Sequence, residues 1–196
     1  IFRYKQRSFT TVIGVSGCTA LIVAALGISN SISNIANDQF DSIMKYDYSI
    51  SFVDDQNNDD KAKFIEQYNN DLSECVFVSS NDVEVIDGDI ATDDSNITNL
   101  INLASNGETV QYPEYGKVAI NEKLANELDI DTGDNITFIS DTAKVIEIEV
   151  SGEFENYIGN YLYMTQKTYE DFFGEEAIYK TAYATTEGED LYSISA

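Results

Sequence analysis

The chain has 196 residues, with 11 Lys and Arg against 35 Asp and Glu, and it contains no histidine and no tryptophan. A formal net charge of −24 speaks against nucleic-acid binding, which depends on basic residues that neutralise phosphates. The missing histidine removes the commonest general base and metal ligand.

The charge is unevenly spread. Arg3, Lys5 and Arg7 stand in front of residues 8–37, which hold no charged side chain. Beyond Asn37 there are 8 lysines and no arginine against all 35 acidic residues, a formal charge of −27. The stretch from Thr10 to Ile28 is almost wholly apolar. About 20 such residues are needed to cross the hydrocarbon core of a bilayer. Short flanks rich in Lys and Arg stay inside, so the chain is expected to emerge on the outer side. A cleaved signal sequence would have a shorter apolar run and a small-residue cleavage site, and neither is found here. The expected plan is a cytoplasmic flank at 1–7, a transmembrane helix at 8–28, a helical stalk at 29–45 and an extracytoplasmic domain at 46–196. Gly17, Ala20, Ala24, Gly27 and Ser31 recur at helical spacing, a small-residue face along which membrane helices pack closely.

Ile28, Ile32, Ile35, Gln39 and Ile43 trace one side of the stalk. Tyr46, Tyr48, Ile50 and Phe52 then alternate as in a strand. The polar run 54–60 offers N-cap chemistry to a helix over 61–70, with Ala62 and Ile65 as its buried face, joined by Phe64 and Tyr68. Strands are expected at 75–78 and 82–86, joined by Ser79, Ser80 and Asn81. Asn106-Gly107 marks a tight hairpin between 97–103 and 108–112. A strand at 118–120 leads to Asn121, the expected cap of a helix whose stripe is Leu124, Ala125 and Leu128. Asp131–Asp134 turns the chain into a strand at 136–139. Over 144–154, Ile146, Ile148 and Val150 face inward while Glu147 and Glu149 face outward. A strand at 161–164, a helix capped by Thr165 and closed by Gly174, and a strand at 179–185 complete the pattern. Strands mix with short helices without regular alternation, so the fold class is α+β.

No catalytic, cofactor-binding or metal-binding residue can be assigned, and an enzyme is not expected. Cys18 and Cys75 are too far apart in the plan to form a bridge or a zinc site. Asp129–Asp134 resembles a calcium loop only superficially, because glycine falls fifth and residue twelve is Ser140. Asp87-Gly88-Asp89 and Asp93-Asp94 support no metal assignment. Asn96-Ile97-Thr98 and Asn135-Ile136-Thr137 match the short glycosylation pattern, which arises readily by accident.

Residues 1–9 and 11–21, from Ile1-Phe2-Arg3-Tyr4-Lys5 through Val15-Ser16-Gly17-Cys18, resemble the first membrane helix of FtsX-like ABC transporter permeases. Val118–Ala125, Leu128, Gly133-Asp134 and Ile136 resemble the extracytoplasmic core domain of the MacB-type members, as do Val150-Ser151-Gly152 and Glu155-Asn156-Tyr157-Ile158-Gly159-Asn160 through Met164. The resemblance implies a permease with four membrane helices and a large outer domain between the first two. It implies a second permease subunit, homo- or heterodimeric, and ATP bound by a separate cytoplasmic ATPase subunit, with no cofactor in this chain. It further implies a mechanical role in moving a peptide, lipid-linked or drug-like cargo. By that pattern, membrane helices two to four would follow the chain, and the outer domain would be incomplete at its C-terminal end. An exported domain without disulfides is compatible with a Gram-positive cell membrane. The alternative is a membrane-anchored extracellular sensor domain of a receptor.

Overall fold

The structure, a computed structural model, describes residues 5–83, 88–92, 97–139 and 144–186. The chain divides into two compact units, residues 1–38 and 39–196. In the first unit a single α-helix, α1 (Lys5–Asn37), carries the apolar run. The helical segment from Phe9 to Ile43 is long and apolar enough to cross a membrane, its most apolar 18-residue stretch having a mean hydropathy of 2.1. Thr19, Ser31 and Ser33 each donate a hydroxyl proton to the carbonyl four residues earlier, which lets polar side chains satisfy themselves inside the helix. Helical structure continues past Asn37 as a π-helical turn, Asp38–Ile43. Regular α-helix was expected to residue 45, and the wider turn instead swings Gln39 and Ile43 into the core.

The second unit is built on one mixed eight-stranded sheet. Its strands in chain order are β1 (Tyr48–Ser51), β2 (Glu74–Val83), β3 (Gly88–Thr92), β6 (Lys117–Asn121), β7 (Asn135–Ile139), β8 (Val145–Phe154), β9 (Asn160–Met164) and β10 (Thr181–Thr185). Across the sheet they run β1-β10-β2-β3-β9-β6-β8-β7. A separate two-stranded hairpin joins β4 (Ala104–Ser105) to β5 (Glu108–Thr109). Asn106 and Gly107 both take positive φ, 51° and 81°, as a type I′ turn demands. The helices of this unit are α2 (Asn58–Tyr68), α3 (Ile97–Leu100), α4 (Glu122–Leu128) and α5 (Gln166–Phe173). This α+β architecture matches the expected class.

Alternation decides the two faces of the sheet. Val118 and Ile120 point to one side with Ile136, Phe138, Ile146, Ile148 and Val150, where α4 and α5 cover them. Ala119 points to the other, with Val76, Val78, Leu100, Leu103, Phe154, Tyr163 and Ile43. Burial of these side chains, each contributing about 1.5–3 kcal/mol when fully removed from water, holds the unit together without a disulfide. Gly152 leaves no room for a side chain, since a Cβ there would sit 2.7 Å from Val110 Cγ1.

Several elements differ from expectation. The segment expected as two strands at 75–78 and 82–86 contains one long strand, β2, running through Ser79–Asp82. Its first half pairs with β10 and its second half with β3, so the polar run marks a change of partner and not a turn. Residues 84–87 lie outside the described residues. Ile97–Leu100 is a helical turn where a strand was expected, because its two apolar ends, Ile97 and Leu100, are both driven into the core. Of the four residues expected on the buried face of α2, Phe64 packs against Phe52, Phe77 and Tyr68, while Ala62 and Ile65 are exposed. Aromatic area outweighs the smaller aliphatics in choosing that face. Lys61 follows Phe64 inward and lies 3.1 Å from the ring centroid of Tyr179.

Candidate functional site: a buried amide hub at the start of the second unit

Gln39, the first residue of the second unit, is fully buried although it is polar. Burying an amide is costly unless every group finds a partner. Here they do. Gln39 Nε2 donates to Asn156 Oδ1 at 2.9 Å. Gln39 Oε1 accepts the backbone N–H groups of Tyr157 (2.9 Å) and Ile158 (3.2 Å). Asn156 Nδ2 in turn donates to the carbonyls of Ile158 (2.7 Å) and Gly159 (3.1 Å). Gly159 has φ +76°, a conformation that L side chains avoid, and it lets the 155–159 loop wrap its own asparagine. The backbone carbonyl of Gln39 accepts from Met44 N–H, which closes the π-helical turn. Two side-chain amides thus rivet that turn to the loop between β8 and β9.

A second pair of buried amides lies in the sheet. Asn121 and Asn160 are both buried, with Asn121 Oδ1 accepting from Tyr161 N–H at 3.2 Å and Asn121 Nδ2 reaching Asn160 Oδ1 at 3.4 Å. Asn121 was expected to cap α4. It occupies the N-cap position but makes no side-chain cap bond, because its amide is committed to β9. The expected cap at Thr165 forms, its Oγ1 accepting from Thr168, and within the polar run 54–60 it is Asn57 that caps α2, its Oδ1 accepting from Asp59 and Asp60.

No member of the hub titrates near neutral pH, and none is a nucleophile. Its chemistry is mechanical: short, directional bonds that hold one segment against another. Nearby lies a cluster of tyrosines, with Tyr46 stacked on Tyr183 at 4.2 Å and Tyr161 parallel to Tyr163 at 6.5 Å. Burial raises the Tyr163 hydroxyl pKa well above its ordinary value, and burial also raises that of Tyr46.

Asp129–Asp134 is a helix exit and a turn. Asp129 takes the left-handed conformation at the end of α4, and Asp134 Oδ2 accepts from Asp131 N–H. Among the described residues no group of three or more Cys, Asp or Glu side chains gathers in a metal-binding arrangement. The side chains of Asp87, Asp89, Asp93 and Asp94 lie outside the described residues. Cys18 is exposed on α1, and Cys75 is half-buried in β2 with its thiol pushed up to about 11 by burial. Gln39 was visible in the sequence as part of the stalk stripe with Ile43, and Asn156 as part of a family-like segment. Their pairing across more than a hundred residues was not visible.

No family model and no curated protein matches this sequence. Solved structures do match in shape. One is the extracellular domain of the noncanonic ABC-type transporter YknZ from Gram-positive bacteria, at 10% identity and a TM-score of 0.48, covering 76% of this chain and 88% of that one. Another is the periplasmic region of MacB from Actinobacillus actinomycetemcomitans, at 8% identity and a TM-score of 0.51, covering 75% of this chain and 77% of that one. The chain has the fold of the MacB periplasmic region.

Proposed function

We propose that the chain is the first membrane helix and outer domain of an ABC transporter permease. Residues after about 30 would lie outside the cell membrane, in a Gram-positive cell facing the surroundings. The partners would be a cytoplasmic ATPase subunit that binds ATP, a second permease subunit and membrane lipid. The outer domain would convert movement of its helix into export or extraction of a peptide, lipid-linked or drug-like cargo. What supports this reading is one juxtaposition: a helix of membrane-crossing length runs without a break in the chain into a unit of MacB-like fold, and the first residue of that unit is riveted to a core loop. A transmission element needs such a joint, because a loose connection would dissipate the motion.

The test is transport per ATP hydrolysed in reconstituted full-length complex. Ile35 lies in the helical interior of α1. Proline there removes a backbone hydrogen bond and clashes with the preceding turn, at about 3 kcal/mol or more. Ile35→Pro should lower transport per ATP while the outer unit keeps its fold, and Ile35→Ala should be mild. Normal coupling in the proline variant would favour a passive tether, as in a sensor.

A further inference from the structure

Strand β8 is ten residues long, but its two neighbours do not cover it equally. β7 pairs along Val145–Glu149, whereas the pairing with β6 begins only at Lys117 opposite Glu149. Val150 fixes the parity of the strand: its N–H donates to Asp134 and its carbonyl accepts from Gly133, both on the β7 side. Successive residues of a strand present their backbone groups to opposite edges. Ile146 and Ile148 therefore bond toward β7, and Val145 and Glu147 aim their N–H and C=O groups at the other edge, where β6 supplies no rung. That edge opens on a notch of about 320 Å³. Tyr115 forms the far wall, held by a 2.8 Å bond from its hydroxyl to Asp171 and by Lys167, which lies 4.8 Å from its ring centroid. Phe172 lines the notch beside the strand. The Lys144 ammonium at its margin is engaged by the Phe172 carbonyl at 2.6 Å. Val145 is 63% exposed beside it.

An open strand edge next to an aromatic wall is the geometry by which sheets accept an added peptide strand: backbone bonds supply affinity, and pockets for alternate side chains supply selectivity. Charge selects among peptides. Glu147 and Asp171 outnumber Lys144 among the side chains that line the notch, and the whole chain carries −24, so an approaching cation is drawn in and an anion repelled. We propose that the 145–148 edge of β8 is a docking site for a short, extended, cationic peptide segment. This assignment rests on the strand edge and its charge, and needs nothing from the transport reading.

The probe is an octapeptide of alternating valine and lysine, titrated calorimetrically into the full chain in detergent micelles. Saturable binding is expected. The same peptide N-methylated at alternate residues cannot donate its rungs, and its affinity should fall about tenfold. Val145→Pro removes one notch-facing N–H and leaves the β7 bonds in place, so it should cost a similar factor with the circular dichroism spectrum unchanged. Glu147→Lys, which leaves the backbone intact, should weaken the lysine peptide and improve its glutamate counterpart. Equal binding of the methylated peptide would mean adsorption to an acidic surface and would overturn the proposal. So would equal binding of the glutamate peptide by the unaltered chain, or no saturable binding at all. A concentration-dependent dimer, lost in Val145→Pro, would assign the edge to a second copy of the chain instead.

Discussion

At the scale of single residues, the hub around Gln39 makes a sharp stability prediction. Its amide satisfies three partners at once: the Asn156 carbonyl oxygen and the N–H groups of Tyr157 and Ile158. Truncation leaves buried groups without partners, and each such loss costs about 1–3 kcal/mol. Gln39→Ala should therefore lower the denaturation midpoint of the second unit by an amount equivalent to at least about 2 kcal/mol. Gln39→Glu should be intermediate, because it keeps an acceptor for the two N–H groups and replaces the donor to Asn156 with a second acceptor. A chemical denaturation series followed by tyrosine fluorescence would measure both. An alanine variant as stable as the parent would mean that water enters and replaces the amide. The sequence placed Gln39 on the correct helical side but could not give it a partner, since nothing local marks a contact with a loop 117 residues away.

Elements defined by neighbours in the sequence were readable, and those defined by partners in space were not. β8 announces itself by the alternation of Ile146, Ile148 and Val150 with Glu147 and Glu149, and its burial follows that alternation. The Asn106-Gly107 turn needs only its own two residues. β2 was cut in two because Ser79, Ser80, Asn81 and Asp82 look like a turn, yet the strand persists by exchanging β10 for β3 at that point. Helix α2 shows the same limit. Ala62 and Ile65 fit an apolar stripe as well as Phe64 and Tyr68 do, and only the aromatic surface of Phe52 and Phe77 decides which face turns inward. Two substitutions test that choice. Phe64→Ala should destabilise the unit by about 2–3 kcal/mol, at the low end for a buried aromatic because the side chain is only partly covered. Ile65→Ser, on the exposed face, should stay within about 0.5 kcal/mol. Thermal unfolding of the two variants would separate them, and a larger loss at Ile65 would reverse the assigned face.

At the scale of the whole molecule, the decisive property is the asymmetry between the two ends of α1. Three basic residues precede it and a unit rich in carboxylates follows, with Asp38 the first acidic residue in the chain. Basic flanks resist translocation far more than acidic ones promote it, so Arg3, Lys5 and Arg7 should fix the orientation, and the net −27 beyond Asn37 should matter little. Asn58 and Asp59 at the start of α2 are exposed and offer a reporter position. A chain freed of Cys18 and Cys75, and carrying Asp59→Cys, should react with a membrane-impermeant maleimide on intact cells. Replacing Arg3, Lys5 and Arg7 together with glutamine should then produce a mixed population, part labelled from outside and part only after lysis. The substitutions alter no residue of the second unit. Full external labelling of the triple variant would show that the apolar helix or the acidic unit sets direction, and the basic flank would lose its role as the topological signal.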